Sequence, residues 1–322
     1  MVSYQLVVIT GASRGFGRAC AVAIAAATRT PMHFVLIGRD SAELTVTKEL
    51  VEACRAGNMA EVTMIDTMVF DLGRVGALKA VADDMFMLVP SETRRYHKVI
   101  FVNNAGSLGP LAAIGRYPGD NLAEMSAALD LNVTAACYLT SSFMERCAPG
   151  GVYAAQGIKK VVIVNVSSLA AVKAFGSWGV YCAGKAAREM FHKCLAEEVG
   201  KRGAEDLPQV RVLNYAPGPL DTNMQLEIRE GASVDKETQE FYRGLKEQNQ
   251  LVDAKDSAAK LVKIINFEKY ASGDHIDFYE SIEGIDTPLP PTTCCGCQQC
   301  TCGVDCACKA LAKPQCDACG EA

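Results

Sequence analysis

No apolar run in the 322-residue chain approaches the roughly 18 residues that cross a bilayer, so a transmembrane helix is not expected. Positive charge is not in excess either. Lys and Arg number 32 against 37 Asp and Glu, a net charge of −5 with a pI near 5.5. That balance argues against a general nucleic-acid or anionic-membrane binder. A strand pattern at Tyr4–Ile9 leaves no room for a cleavable signal peptide, and the C-terminal Cys-Gly-Glu-Ala carries no targeting address. A cytoplasmic protein is the expectation. Cysteine is sparse up to residue 293, where Cys20, Cys54, Cys137, Cys147, Cys182 and Cys194 read as reduced thiols. Aromatic residues stop at Tyr279. What is present is ordinary globular material, 49% hydrophobic and 21% charged, ample for a core.

Short apolar runs alternate with helical stretches. Strands are expected at Tyr4–Ile9, His33–Ile37, Glu61–Val69, Lys98–Val102, Lys160–Val166 and Gln209–Tyr215, with a last short one at His275–Tyr279. Helices are expected at Gly15–Ala27, Ser41–Ala56, Gly73–Leu88, Asn121–Arg146, Gly179–Gly200 and Ala254–Phe267. The strands are Val- and Ile-rich and almost continuously apolar, as in a parallel sheet covered on both faces. Such repetition predicts a doubly wound, Rossmann-like α/β sheet over residues 1–283. A proline-rich linker (284–293) and a small irregular cysteine-rich tail (294–322) follow.

The first strand runs into Thr10-Gly11-Ala12-Ser13-Arg14-Gly15-Phe16-Gly17, which opens the first helix. Glycines let a backbone approach a pyrophosphate, and a helix N-terminus offers amide donors. Alone, the Gly-x-x-x-Gly-x-Gly spacing also suits a turn without ligand. Arg39 ends the second strand, where an arginine suits the 2′-phosphate of NADP(H). Arg14 in the glycine loop adds a second guanidinium. Asp40 could instead face the ribose of NAD. Asp71, after the third strand, could accept from the adenine amino group or cap a helix. Asn103-Asn104-Ala105-Gly106 ends the fourth strand and could line the crevice or simply turn.

Tyr181 and Lys185 stand four apart and so share a helix face, with Ser168 thirteen residues upstream of Tyr181. An ammonium beside a phenol favours phenolate, which is expected to lower the acidity constant of Tyr181. The Ser168 hydroxyl could hold a carbonyl oxygen. Ser167, its neighbour at a strand end, would point the other way. Tyr-x-x-x-Lys alone is common on surface helices; the glycine loop upstream gives it weight. Trp178, Arg188 and His192 are read as structural or dimer-face residues.

Together, the glycine loop, Asn103-Asn104-Ala105-Gly106, Ser168, Tyr181-x-x-x-Lys185 and Pro217-Gly218 resemble the short-chain dehydrogenase/reductase family over residues 1 to about 280. The resemblance implies hydride transfer between a nicotinamide and a carbonyl. It implies a homodimer formed through the helices near 121–146 and 179–200, and a fourth catalytic member, Asn132. It further implies coenzyme contacts from Gly11, Ser13, Arg14, Gly15, Phe16, Gly17, Arg39, Asp40, Asp71, Leu72, Asn103, Lys185, Leu220 and Thr222. Longer strings, such as Arg211-Val-Leu-Asn-Tyr-Ala-Pro-Gly-Pro-Leu-Asp-Thr222 and Ser272-Gly-Asp-His-Ile-Asp-Phe-Tyr279, are similar to the family's pterin-reducing members. That similarity implies NADPH-dependent reduction of side-chain carbonyls on 6-pyruvoyl-tetrahydropterin and sepiapterin, in tetrahydrobiopterin synthesis. It implies a substrate site of Ser168, Tyr181, Gly218 and Asp277. A carboxylate at Asp277 matches the paired N–H donors on one edge of a pterin, and Gly218 would let substrate approach the backbone. Reduction of another small dicarbonyl is the alternative.

The tail carries Cys294, Cys295, Cys297, Cys300, Cys302, Cys306, Cys308, Cys316 and Cys319. With few large apolar residues it cannot build a core by burial. Close Cys-x-Cys and Cys-x-x-Cys pairs favour soft metals, Zn or Cu(I), and resemble a metallothionein domain. The thiolates could hold about three tetrahedral zinc ions. The open alternatives are an oxidation-prone tail without metal and a metal-buffering protein whose reductase half is a carrier.

Overall fold

A computed structural model describes residues 3–286, apart from 29, 57–62, 88–94, 118–120, 149, 152, 154–156 and 202–207. One compact unit comprises Met1–Glu280 and a second begins at Ser281. Of the second, the described part is the turn 281–286, where the Ile282 amide donates to Asp286 Oδ2 at 2.8 Å. The nine tail cysteines, Cys294 to Cys319, lie outside the described residues.

Seven strands form one parallel sheet: β1 (Ser3–Thr10), β2 (Met32–Gly38), β3 (Thr63–Val69), β4 (Arg95–Asn103), β5 (Lys160–Val166), β6 (Gln209–Ala216) and β7 (His275–Asp277). Their order is β3-β2-β1-β4-β5-β6-β7. The β2 sequence Met-His-Phe-Val-Leu-Ile-Gly is buried throughout, as a strand covered on both faces must be. Val35, Val99, Phe101, Val161 and Ile163 meet Leu139 and Phe143 in the main core. Each such side chain contributes roughly 1.5–3 kcal/mol by leaving water.

Helices α1 (Gly15–Ala26), α2 (Ser41–Ala56), α3 (Leu78–Met87), α4 (Leu122–Leu129), α5 (Ala136–Cys147), α6 (Gly179–Gly200), α7 (Asn223–Glu230), α8 (Lys236–Glu247) and α9 (Ala254–Phe267) complete the unit. The helix expected from Gly73 starts later, through a 3₁₀ turn at Val75–Ala77, because Asp71 Oδ1 accepts from the Gly73 amide at 3.1 Å and holds a turn there. The helix expected over 121–146 is interrupted by a π-helical stretch at Asp130–Ala135. Helices α7 and α8 were not expected. The last strand stops at Asp277, whose carboxylate accepts from the Tyr279 amide at 2.9 Å and turns the chain. No helix among the described residues is long and apolar enough to cross a membrane.

Strand order reverses between β1 and β4, which opens a crevice at their carboxyl ends. Thr10 Oγ1 accepts from the amides of Asn104 at 2.9 Å and Ala105 at 3.0 Å. The Asn104 side chain donates back to the carbonyls of Thr10 at 3.0 Å and Gly11 at 3.2 Å. The two loops that border the crevice are thereby fixed to each other.

Candidate active site

Gly11 and Gly15 adopt φ of +67° and +55°, a backbone region that favours glycine. A Cβ on Gly17 would collide with the Gly11 carbonyl oxygen. No side chain caps the start of α1, so the first-turn amides face the crevice unclaimed by a cap. A glycine-walled cradle at an uncapped helix start suits an anionic pyrophosphate. Thr222, at the entry to α7, lies 3.6 Å from where a Gly15 Cβ would stand. Leu220 bridges to Val252, and Asp221 accepts from Lys246 Nζ at 2.6 Å, which ties this segment to the following elements. Ser13 packs against Gly38 at the end of β2, with Phe16 buried behind it.

Arg39 and Asp71 line one cavity of about 460 Å³, together with Gly73, Arg74 and Ser107. Arg14, Arg39 and Arg74 are all exposed, and their side chains make no hydrogen bond or ion pair with another described residue. Arg74 was missed in the sequence, where an arginine in a turn carries no signal of its own. Asp40 Oδ1 accepts from the Glu43 amide at 3.1 Å at the start of α2, so this carboxylate is engaged as a helix cap. Leu72 is buried in the core, and Asn103 donates to the Ala136 carbonyl at 2.8 Å and to Thr140 Oγ1 at 3.1 Å.

Tyr181 and Lys185 share one face of α6 and are 6% and 5% exposed. Lys185 Nζ stands 5.7 Å from the Tyr181 ring centroid and donates to the Val166 carbonyl at 2.8 Å. Ser168, just past β5, accepts from the Ala170 amide through Oγ at 3.1 Å and pulls on the Tyr181 phenol in the direction of phenolate. Burial raises the Tyr181 phenol to about 12, against the opposing pull of Ser168 and Arg188. Burial, with the neighbouring Arg188 charge, drives Lys185 well below its ordinary value. The phenol is therefore raised rather than lowered in the chain alone, and the groups that pull it down are Ser168 and Arg188, not the expected Lys185.

Asn132 lies in the π-helical stretch, buried. Its Oδ1 accepts from the Ser107 amide at 3.0 Å and its Nδ2 donates to the Ser107 carbonyl at 2.8 Å. It thus clamps the loop after β4 beside the lysine. Arg188 is fully buried and donates to Asn165 Oδ1 at 2.5 Å, to the Ala105 carbonyl at 2.8 Å and to the Asn103 carbonyl. His192, also buried, lies 2.8 Å from the Arg188 carbonyl through Nδ1 and 3.1 Å from Thr140 Oγ1 through Nε2. Arg188 braces the ends of β4 and β5 from inside and His192 ties α6 to α5; both are fully buried, which excludes a dimer-face role.

An apolar compartment of Leu108, Trp178, Ile228 and Val234 surrounds Tyr181, with Phe175, Met224 and Tyr242 at its edge. Trp178 stacks between Phe175 (centroids 5.0 Å apart) and Tyr242 (5.8 Å), and meets Tyr181 edge-on at 5.8 Å. Tyr242, which α8 delivers, was not expected from the sequence. Asp277 is half-buried at the carboxyl end of β7. Gly218 has φ +81°, and a Cβ there would press on Val252 at 3.1 Å and Phe278 at 3.4 Å. The positive φ and these two neighbours both suit glycine to this turn.

Residues 5–233 match the short chain dehydrogenase family. The chain belongs to that family. As a short chain dehydrogenase it is an oxidoreductase, and membership implies a nicotinamide dinucleotide coenzyme. It is 37% identical over 273 residues to sepiapterin reductase of Rattus norvegicus, covering 85% of this chain and 95% of the rat protein. Benzil reductase ((S)-benzoin forming) of Bacillus cereus is 28% identical, over 84% of this chain and 98% of its own length. In fold, this short chain dehydrogenase superposes on the KRED1-Pglu enzyme with a TM-score of 0.65 at 24% identity, covering 84% of this chain and all of that one.

Proposed function

We propose that the enzyme reduces side-chain carbonyls of pterins, sepiapterin and 6-pyruvoyl-tetrahydropterin, with NADPH. The observation that carries the reading is half-buried Ser168 beside buried Tyr181 and Lys185, beneath an aromatic compartment. The likeness to the rat sepiapterin reductase supports the choice of substrate. Three unpaired guanidinium groups, Arg14, Arg39 and Arg74, and the engagement of Asp40 as a cap favour the 2′-phosphate of NADP(H) over a free ribose. The nicotinamide coenzyme, when bound, supplies the hydride.

The remaining work falls to the chain's own side chains. A phenol raised to about 12 stays protonated at neutral pH, the form required of a general acid in the reducing direction. Tyr181 protonates the carbonyl oxygen as that oxygen gains charge. Ser168 orients the oxygen by hydrogen bonding. Lys185, anchored to the Val166 carbonyl, keeps further N–H donors for the ribose hydroxyls. Asn132 holds the loop and a proton-relay water. Asp277 accepts the paired N–H donors of the pterin edge. Exposed Leu129, Tyr138 and Met190 on α4, α5 and α6 support a homodimer through those helices. The cysteine tail is proposed to chelate Zn or Cu(I).

A second reading, reduction of aryl diketones, is favoured by the Phe175–Trp178–Tyr242 stack. NADPH oxidation with sepiapterin and with benzil separates the two. Turnover with sepiapterin supports the pterin reading; turnover with benzil alone selects the second.

A further inference from the structure

Glu189 follows Tyr181 and Lys185 on the same face of α6, one turn further on, and is 2% exposed. A buried carboxylate is costly unless its oxygens are satisfied. Here Oε2 accepts from Ser167 Oγ at 2.5 Å and from His275 Nδ1 at 2.7 Å, and Oε1 pairs with Lys193 Nζ at 2.7 Å. Burial pushes the carboxyl up, but the bonds from His275, Lys193 and Ser167 outweigh it and bring it down to about 2.

These partners stand at informative places. Ser167 is the covalent neighbour of Ser168. His275 precedes Asp277 by two residues on β7, so their side chains share one face of the strand. β7 is three residues long and, among the described residues, pairs only with β6, through Asn214–His275, Tyr215–Ile276 and Ala216–Asp277. Backbone bonds from Gly273 to the Val212 carbonyl and from Phe278 to the Ala216 carbonyl flank that ladder, and the Glu189–His275 bond adds a side-chain tie from α6. One carboxylate therefore joins the strand end that carries Ser168, the helix that carries Tyr181 and Lys185, and the strand that carries Asp277.

We propose that Glu189 is a positioning residue that, through His275 and Ser167, sets the separation between the pterin anchor Asp277 and the catalytic hydroxyls. The inference rests on the reading of Asp277 as that anchor. A displaced anchor weakens the paired bonds between the Asp277 carboxylate and the pterin edge, so the brace acts on substrate binding without touching substrate.

The test is steady-state reduction of sepiapterin by Glu189→Gln, with His275→Asn as a second variant should the first fail to fold. The brace predicts that either variant raises the sepiapterin KM by about tenfold, while kcat and the NADPH KM stay within about twofold. A purely structural role would reduce the amount of competent enzyme, lowering kcat at unchanged KM, and that result overturns the proposal. An unchanged KM in both variants also overturns it. Asp277→Asn is measured in parallel. If it too leaves the sepiapterin KM unchanged, the anchor reading itself fails and the brace falls with it. If Asp277→Asn raises KM and the Glu189 and His275 variants do not, only the brace is refuted.

Discussion

Lys185 Nζ lies 5.7 Å from the ring centroid of Tyr181, yet burial rather than this neighbour governs the phenol, which stands at about 12. Both groups are withdrawn from water, and desolvation disfavours the charged form of each. The tyrosine therefore retains its hydrogen at neutral pH, the form that the proposed general-acid role requires.

The proposed preference for NADPH rests on arginines that have no partner among the described residues. Arg39→Ala and Arg74→Ala are each expected to raise the NADPH KM about tenfold or more, at about 1.5–3 kcal/mol per charge-assisted bond. The NADH KM should hardly move. Kinetics with both coenzymes check this, and equal losses with both would remove the 2′-phosphate as the ligand of these side chains.

Acid sensitivity follows from His192 and Glu189. Burial lowers His192 from 6.5 to about 4, and Glu189 falls from 4.5 to about 2 because its hydrogen bonds outweigh burial. Both folded-state values are depressed, so the unfolded chain binds more protons. The associated stability is complete above about pH 6.5 and is lost as pH falls through 4 towards 2. The histidine step corresponds to about 3 kcal/mol. Urea midpoints from pH 7 to 4 should fall accordingly, and His192→Gln should flatten the upper part of that slope.

The tail makes a prediction separable from catalysis. Purified full-length chain is expected to carry about three zinc ions, lost on deletion of residues 287–322. Sepiapterin reduction by the shortened enzyme should be unchanged. Elemental analysis beside turnover checks both, and metal-free protein from zinc-supplemented expression would oppose the chelation reading.

The sheet and its crevice were legible because Val- and Ile-rich runs and the Thr10–Gly17 loop carry their own physics: continuous burial, and glycines where the chain must turn tightly. Helices α7 and α8 were not. The α8 sequence Lys-Glu-Thr-Gln-Glu-Phe-Tyr-Arg-Gly-Leu-Lys-Glu is amphipathic but mostly polar and has no fully buried residue, so it reads as solvated surface, with the cap at Asp235 marking its start. Tyr242 escaped notice for that reason. Arg74, Glu189 and His275 escaped because their significance is relational: each matters through a neighbour distant in sequence, Arg39 for the first and each other for the last two. The burial that raises Tyr181 was equally invisible, since spacing reports a nearby ammonium but not the removal of water.

The most direct measurement of the central claim compares wild type with Tyr181→Phe, for sepiapterin-dependent NADPH oxidation and for NADPH binding by fluorescence titration. Loss of the donated proton should lower kcat by about 10²–10⁴-fold while coenzyme affinity stays within about twofold. Near-normal turnover by the phenylalanine variant would contradict the assignment of Tyr181 as the acid.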